Sequence, residues 1–78
     1  MSNRPEITGL QLIRVLEKAG FIKVRQKGSH VQMRRIEADG RATTFPVPVH
    51  SGKTIKRGTL YGILRKAGIE PKDLKDLV

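Results

Sequence analysis

The sequence predicts an α+β fold in the order α-β-β-β-α. It has a three-stranded antiparallel sheet, helices packed on one face of it, and a short extra C-terminal helix. Three observations lead there. Apolar residues fall at helical spacing near both ends of the chain, they alternate with polar residues in between, and glycine-bearing turns separate the alternating runs. The chain has 78 residues, the length of one domain spanning 1–78. A domain of this size hides only about 60% of the surface its unfolded chain exposes, so its core is modest.

Thr8-Gly9-Leu10-Gln11 is a capping-box pattern, in which the threonine oxygen and the glutamine side chain each satisfy a free helix-start amide. Leu12, Ile13, Leu16 and Ala19 then share one helical stripe, and Gly20 is a left-handed stop with Phe21 placed to pack back. The first helix therefore runs from about Gly9 to Ala19. Ile22 and Val24 alternate with Lys23 and Arg25, the period of a strand. Lys27-Gly28-Ser29 breaks that strand, and a second follows in which Val31 and Met33 face the core while His30, Gln32 and Arg34 face away from the helices. Asp39-Gly40 marks a tight hairpin turn with positive backbone angles. The third strand passes through Arg41 to Phe45, with Phe45 a core residue, and ends at Pro46 or Pro48 because proline cannot donate to a ladder. A loop through His50-Ser51-Gly52-Lys53 leads to a helix beginning around Gly58-Thr59, with Leu60, Ile63, Leu64 and Ala67 on its stripe. Gly68-Ile69 repeats the stop, and Pro71 opens the short last helix with Leu74 and Leu77.

Charge is the strongest compositional signal. The chain carries 16 Lys and Arg against 7 Asp and Glu, a formal net of +9. Nine of those cations lie between Lys23 and Arg57 against only Glu37 and Asp39, a local net of +7. A basic segment this dense attracts polyanions and is the footprint of nucleic-acid binding. The absence of cysteine excludes a disulfide framework, a thiolate metal site and a cysteine nucleophile, and fits a reducing cytosol. Met1-Ser2-Asn3-Arg4-Pro5-Glu6 lacks the apolar centre of a signal peptide, and no apolar run approaches the ~20 residues of a membrane helix. The expectation is a cytoplasmic protein with no membrane partner.

Two histidines 20 positions apart and seven scattered carboxylates give no metal-ligand spacing. Neither a phosphate-cradling glycine loop nor a dinucleotide motif is present, so no cofactor is expected. His30 follows a Gly-Ser turn among Lys27 and Arg34. An imidazole there is either an ordinary strand histidine or a general acid or base working near neutral pH. RNA brings its own nucleophile, the 2′-hydroxyl, so one imidazole and nearby cations suffice for slow cleavage. His50 is open to the same two readings, and Lys53, Lys56 and Arg57 are phosphate contacts or solvated surface.

Taken as a set, Ile7-Thr8-Gly9, Ala19-Gly20-Phe21, Arg25-Gln26-Lys27-Gly28-Ser29-His30, Asp39-Gly40-Arg41, Val47-Pro48-Val49-His50 and Gly58-Thr59-Leu60 resemble the HicA family over residues 7–69. HicA proteins are toxins of prokaryotic toxin–antitoxin pairs. The resemblance implies a fold like a double-stranded-RNA-binding domain and ribosome-independent cleavage of messenger RNA, and the lack of metal-ligand spacing adds the expectation that this cleavage needs no metal. It also places the catalytic histidine at His30. Gly28 and Ser29 then shape its approach, and the family's recurrent loop histidine and lysine fall at His50 and Lys53. With the cations Lys27, Arg34, Lys56 and Arg57, which the charge pattern adds, these are the expected substrate contacts. The implied partner is a HicB antitoxin that covers the active face. Two other readings compete with this one. A non-catalytic module would span ~16 base pairs of double-stranded RNA by shape alone. A DNA regulator would place its second helix in the major groove, but the charge lies mainly before that helix and not along it.

Overall fold

The computed structural model describes residues 6–78. The reading of Met1 to Glu6 as lacking a leader falls on residues 1–5, outside that range. Helix α1 spans Gly9–Lys18, strands β1, β2 and β3 span Ile22–Lys27, His30–Ile36 and Ala42–Pro48, and helix α2 spans Arg57–Ala67. A 3-10 turn at Pro71–Asp73 leads into the short helix α3 at Leu74–Leu77. The sheet is an antiparallel meander in the order β1-β2-β3. The predicted element order holds throughout.

The start of α1 forms as its spacing predicts. The Gln11 amide donates to the Thr8 hydroxyl at 3.2 Å, and the Thr8 amide donates to the Gln11 side-chain oxygen at 2.9 Å. Both long helices end alike, because both carry Ala-Gly followed by an apolar residue. Phe21 donates to the Leu16 carbonyl at 2.9 Å and Ile69 donates to the Leu64 carbonyl at 2.9 Å, with Gly20 and Gly68 left-handed between. That 6→1 bond closes the helix and returns the apolar residue to the core.

The core lies between the helices and one face of the sheet. It joins Leu12, Val15 and Leu16 of α1 to Val31 and Met33 of β2, Phe45 and Val47 of β3, and Leu60, Ile63 and Leu64 of α2. Phe21 and Phe45 meet in a tilted pair with centroids 5.1 Å apart. Arg35, on the helix side of β2, packs against this core. Its guanidinium stacks over Phe21 at 4.3 Å and donates to the carbonyls of Ala19 (3.0 Å) and Ala67 (3.2 Å) and to the Glu37 carboxylate (2.9 Å). The bond from Arg35, aided by one from Thr43, holds the Glu37 carboxyl below its ordinary pKa. Its contribution to stability is therefore present at neutral pH and fades as acid protonates the carboxylate.

Four details differ from the reading of the sequence. A bulge at Val24 breaks the pairing between Lys23↔Met33 and Arg25↔Gln32, so Ile22 pairs with Arg34 on the outer face. All of β1 is exposed, Ile22 at 62% and Val24 at 43%, because the strand overhangs the helix layer. In the β2–β3 hairpin only Gly40 takes a positive φ; Gly40 donates to the Glu37 carbonyl and Glu37 to the Arg41 carbonyl, a three-residue loop with a glycine bulge. Finally, α2 begins at Arg57, ahead of the predicted Gly58.

Gly9 is fixed by space and not by backbone angle. A Cβ there would lie 2.3 Å from the Pro48 carbonyl oxygen and 2.9 Å from the Val49 Cα, both backbone atoms. The Gly9→Ala protein should therefore lose about 1–3 kcal/mol, as overpacked cores do, despite alanine's better helix propensity. Urea unfolding measures this as a lowered midpoint; an unchanged midpoint means that the helix start moves freely against β3.

Candidate functional site

The face of the sheet turned away from the helices is open. Cross-strand partners share a face, so His30, Gln32 and Arg34 of β2 stand beside Lys27, Arg25 and Ile22 of β1 and beside Pro48, Pro46 and Thr44 of β3. A shallow depression on this face is lined by Arg25, Lys27, Gly28, Ser29, His30, Gln32 and Pro46. No carboxylate lines it. The ion pairs among the described residues are Arg35–Glu37 and Arg41–Asp39, so Arg25, Lys27 and Arg34 stand without an acidic partner there.

Local structure explains how His30 reaches this position. Gly28 takes φ 58° at the first central position of a two-residue turn, and Lys27 pairs directly with His30. The Val49 amide donates to the Ser29 carbonyl at 2.7 Å, which ties the turn to the end of β3. The His30 ring is exposed, and no described residue hydrogen-bonds it.

The same Val49 bond brings the second histidine to this end of the molecule. Lys53 donates to the His50 carbonyl at 2.9 Å in a turn completed by Gly52 at φ 73°. The chain then passes beside the start of α1, where Thr54 bridges Thr8 and the Ile55 amide donates to the Ile7 carbonyl at 2.8 Å. Lys56 and Arg57 follow at the start of α2, with the Arg57 guanidinium 5.6 Å from the Tyr61 ring centroid. Among the expected site residues, Lys27, Gly28, Ser29 and His30 thus share one depression. His50, Lys53, Lys56 and Arg57 ring the same end of the molecule without lining it. Arg34 lies further along the open face, in a second hollow with Gly20, Ile22, Val24, Arg35 and Ile36.

Arg25, Gln32 and Pro46 were not singled out from the sequence as site residues, and the strand register supplies them. The hairpin Lys27-Gly28-Ser29-His30 already implies that Arg25 opposes Gln32. Pro46 needs the β2–β3 register as well.

Both long helices begin near this site and end at the far end of the sheet. Gly9 abuts Pro48 and Val49, and α2 starts two residues after Ile55, while the last carbonyls of both helices meet Arg35. The positive ends of two helix dipoles, each equivalent to roughly half a charge, therefore point toward the histidine end. Among the described residues, no three His, Asp or Glu side chains group as metal ligands, and no helix is long and apolar enough to cross a membrane.

Together these features define a small α+β domain with a cationic, solvent-open sheet face that carries an exposed histidine. The family model described as the HicA toxin of bacterial toxin–antitoxin matches residues 9–69, and the chain belongs to that family. It is a toxin of a toxin–antitoxin system. No curated protein matches it.

Arg25, Lys27 and Arg34 on the open face lack acidic partners, so a polyanion should meet the protein on this side. Replacing Arg25, Lys27 and Arg34 together with glutamine should lower the salt needed to elute the protein from heparin. The same loss of charge at Lys66, Lys72 and Lys75 should lower it much less. Equal shifts mean that net charge alone governs binding and that the face is not special.

Proposed function

We propose that this toxin is a ribosome-independent endoribonuclease that cleaves messenger RNA in the cytoplasm, with His30 as its general acid–base. A HicB-type antitoxin restrains it. The exposed imidazole on an open face whose cations lack acidic partners carries this reading.

In the proposed reaction, a single RNA strand crosses the open face. Lys27 and Arg34 hold its phosphates, and the Gly28–Ser29 turn lets the backbone come close, since a Cβ at Gly28 would meet nothing within 4 Å. His50, Lys53, Lys56 and Arg57 guide the strand at the same end. The His30 imidazole removes the 2′-hydroxyl proton, and that oxygen attacks the adjacent phosphorus. The bond to the 5′-oxygen breaks, and the leaving oxygen takes a proton from the imidazolium. The products are a 2′,3′-cyclic phosphate and a 5′-hydroxyl. Fixed cations stabilise the charge that grows on the phosphoryl oxygens. The nucleophile comes from the substrate, so the scheme needs no metal.

His30→Ala should abolish growth inhibition and slow cleavage by a factor of ~10²–10⁴ with the fold intact, the usual cost of losing a general acid–base group. Circular dichroism checks the fold. Unchanged cleavage by the folded variant overturns the assignment, and unchanged binding without cleavage by the native protein leaves an RNA-binding module in its place.

Cleavage should persist in excess EDTA, leave cyclic or 3′-phosphate ends, and spare DNA, which lacks the 2′-hydroxyl. Terminus mapping on matched RNA and DNA tests all three. Loss of activity in EDTA, or cutting of DNA, sinks the mechanism.

The antitoxin should be acidic where it meets residues 23–57, because charge complementarity speeds encounter and displaces RNA. Co-expression with the neighbouring reading frame should give a complex whose separated partners reassociate more slowly at high salt. If none forms and the chain alone is harmless, no such restraint exists.

A further inference from the structure

The hydrogen-bond parity of the sheet gives the depression a second component besides His30. At the two ends of the β2–β3 ladder, Val49 donates to Ser29 and Glu37 donates to Arg41. The odd-numbered residues of β3 are therefore the hydrogen-bonded ones, and the even-numbered ones face β2 in the narrow pairs. Proline fits only there, because it has no amide to give to β2. His30–Pro48 and Gln32–Pro46 are thus narrow pairs, with Cα atoms about 4.5 Å apart and side chains abutting. Two flat, apolar rings lie along the β3 side of a cationic face. Gln32 sits between Pro46 and Arg25, half-buried, and no described residue hydrogen-bonds its side-chain amide. Among the described residues of this face it is the one carboxamide, a planar group with two donors and an acceptor, where Thr44 offers a single hydroxyl.

We propose that Gln32 and Pro46 form a nucleobase subsite next to His30. This inference rests on the ribonuclease reading above. The Pro46 ring supplies an apolar surface for the face of an unstacked base. The Gln32 carboxamide offers one acceptor and two donors to its edge, the pairing by which amide side chains read bases elsewhere. Arg25 and Lys27 flank the opening and hold the phosphates on either side. Successive side chains on one face of a strand lie about 6.6–7 Å apart, close to the spacing of neighbouring nucleotides, so a base at Gln32 puts its own 2′-hydroxyl within reach of His30. The subsite makes cleavage depend on the base at that position, whereas the cations bind every sequence alike.

Two measurements test this separately from the nuclease activity. The first compares cleavage of RNAs varied at the nucleotide next to the cut by the native protein, Gln32→Ala and Gln32→Leu. The native protein should favour one base, and either substitution should reduce that preference by about 5- to 100-fold, the discrimination a paired amide supplies. An identical preference in native and variant proteins overturns the subsite. The second uses the His30→Ala protein and fluorescence anisotropy on A, C, G and U tetranucleotides, with and without Gln32→Ala, and needs no cleavage. A base preference that disappears with Gln32→Ala establishes the subsite even if the native protein cuts nothing, in which case only the nuclease reading fails. Equal affinity for all four oligonucleotides, or a preference indifferent to Gln32, overturns it. Pro46→Ala should weaken all four tetranucleotides together; no change at all assigns the base surface elsewhere.

Discussion

The arrangement depends on one guanidinium. Arg35 projects from the central strand toward the helices, covers the Phe21 ring and reaches the final carbonyls of both long helices and the Glu37 carboxylate. Those carbonyls have no partner within their own helices, and the helix dipoles place negative charge there. A planar fork with five donors satisfies three separate acceptors at once, which the single ammonium of lysine does less well. Because both helix ends converge on one side chain, both helix starts converge at the opposite end of the sheet. That is the end where His30 and His50 emerge.

The same interaction separates structural charge from available charge. Arg35 is neutralised inside the fold by Glu37 and by helix carbonyls, while Arg25, Lys27 and Arg34 on the opposite face have no carboxylate beside them. Alternation along a single strand does the sorting, since Arg34 and Arg35 are neighbours in sequence and point to opposite sides. A sheet with helices on one face only thus acquires a firm side and a sticky side. Excess positive charge disfavours the folded state, and the hydrophobic core beneath it, from Leu12 to Leu64, offsets that cost.

Two further constraints keep the open side in register. Gly9 lets the start of α1 approach the backbone of β3 more closely than any side chain would permit, and Val49 locks the end of β3 to the Gly28–Ser29 turn. Pro46 and Pro48 leave β3 short of outward donors at its free edge, which discourages another strand from pairing there. The other edge, β1, is protected by charge and by its bulge at Val24. In the proposed reaction this rigidity matters, because an exposed imidazole with no partner relies on the strand beneath it for its position.

The fold was legible in the sequence because its signals are local. The Thr8–Gln11 cap, the paired Ala-Gly stops, the alternation of Val31 and Met33 and the Gly28 and Gly40 turns each depend on residues within a few positions of one another. The outward direction of His30 follows from the same alternation. Toxin membership was read from a set of motifs rather than from any one of them, and the family match bears it out. What stayed hidden depends on pairing between distant segments. The Val24 bulge turns Ile22 outward, the ladder parity sets Pro46 beside Gln32, and Arg35 leaves the basic surface to become the anchor of both helices. Gly9 reads as one more helix-start residue until β3 lies against it. Which elements form and which face of β2 carries His30 can be read from the residues alone, because both are set by periodicity along a single segment. Which side chains share that face emerges only when the strands pair, because cross-strand register and the approach of one backbone to another are set by contacts between segments far apart in the chain.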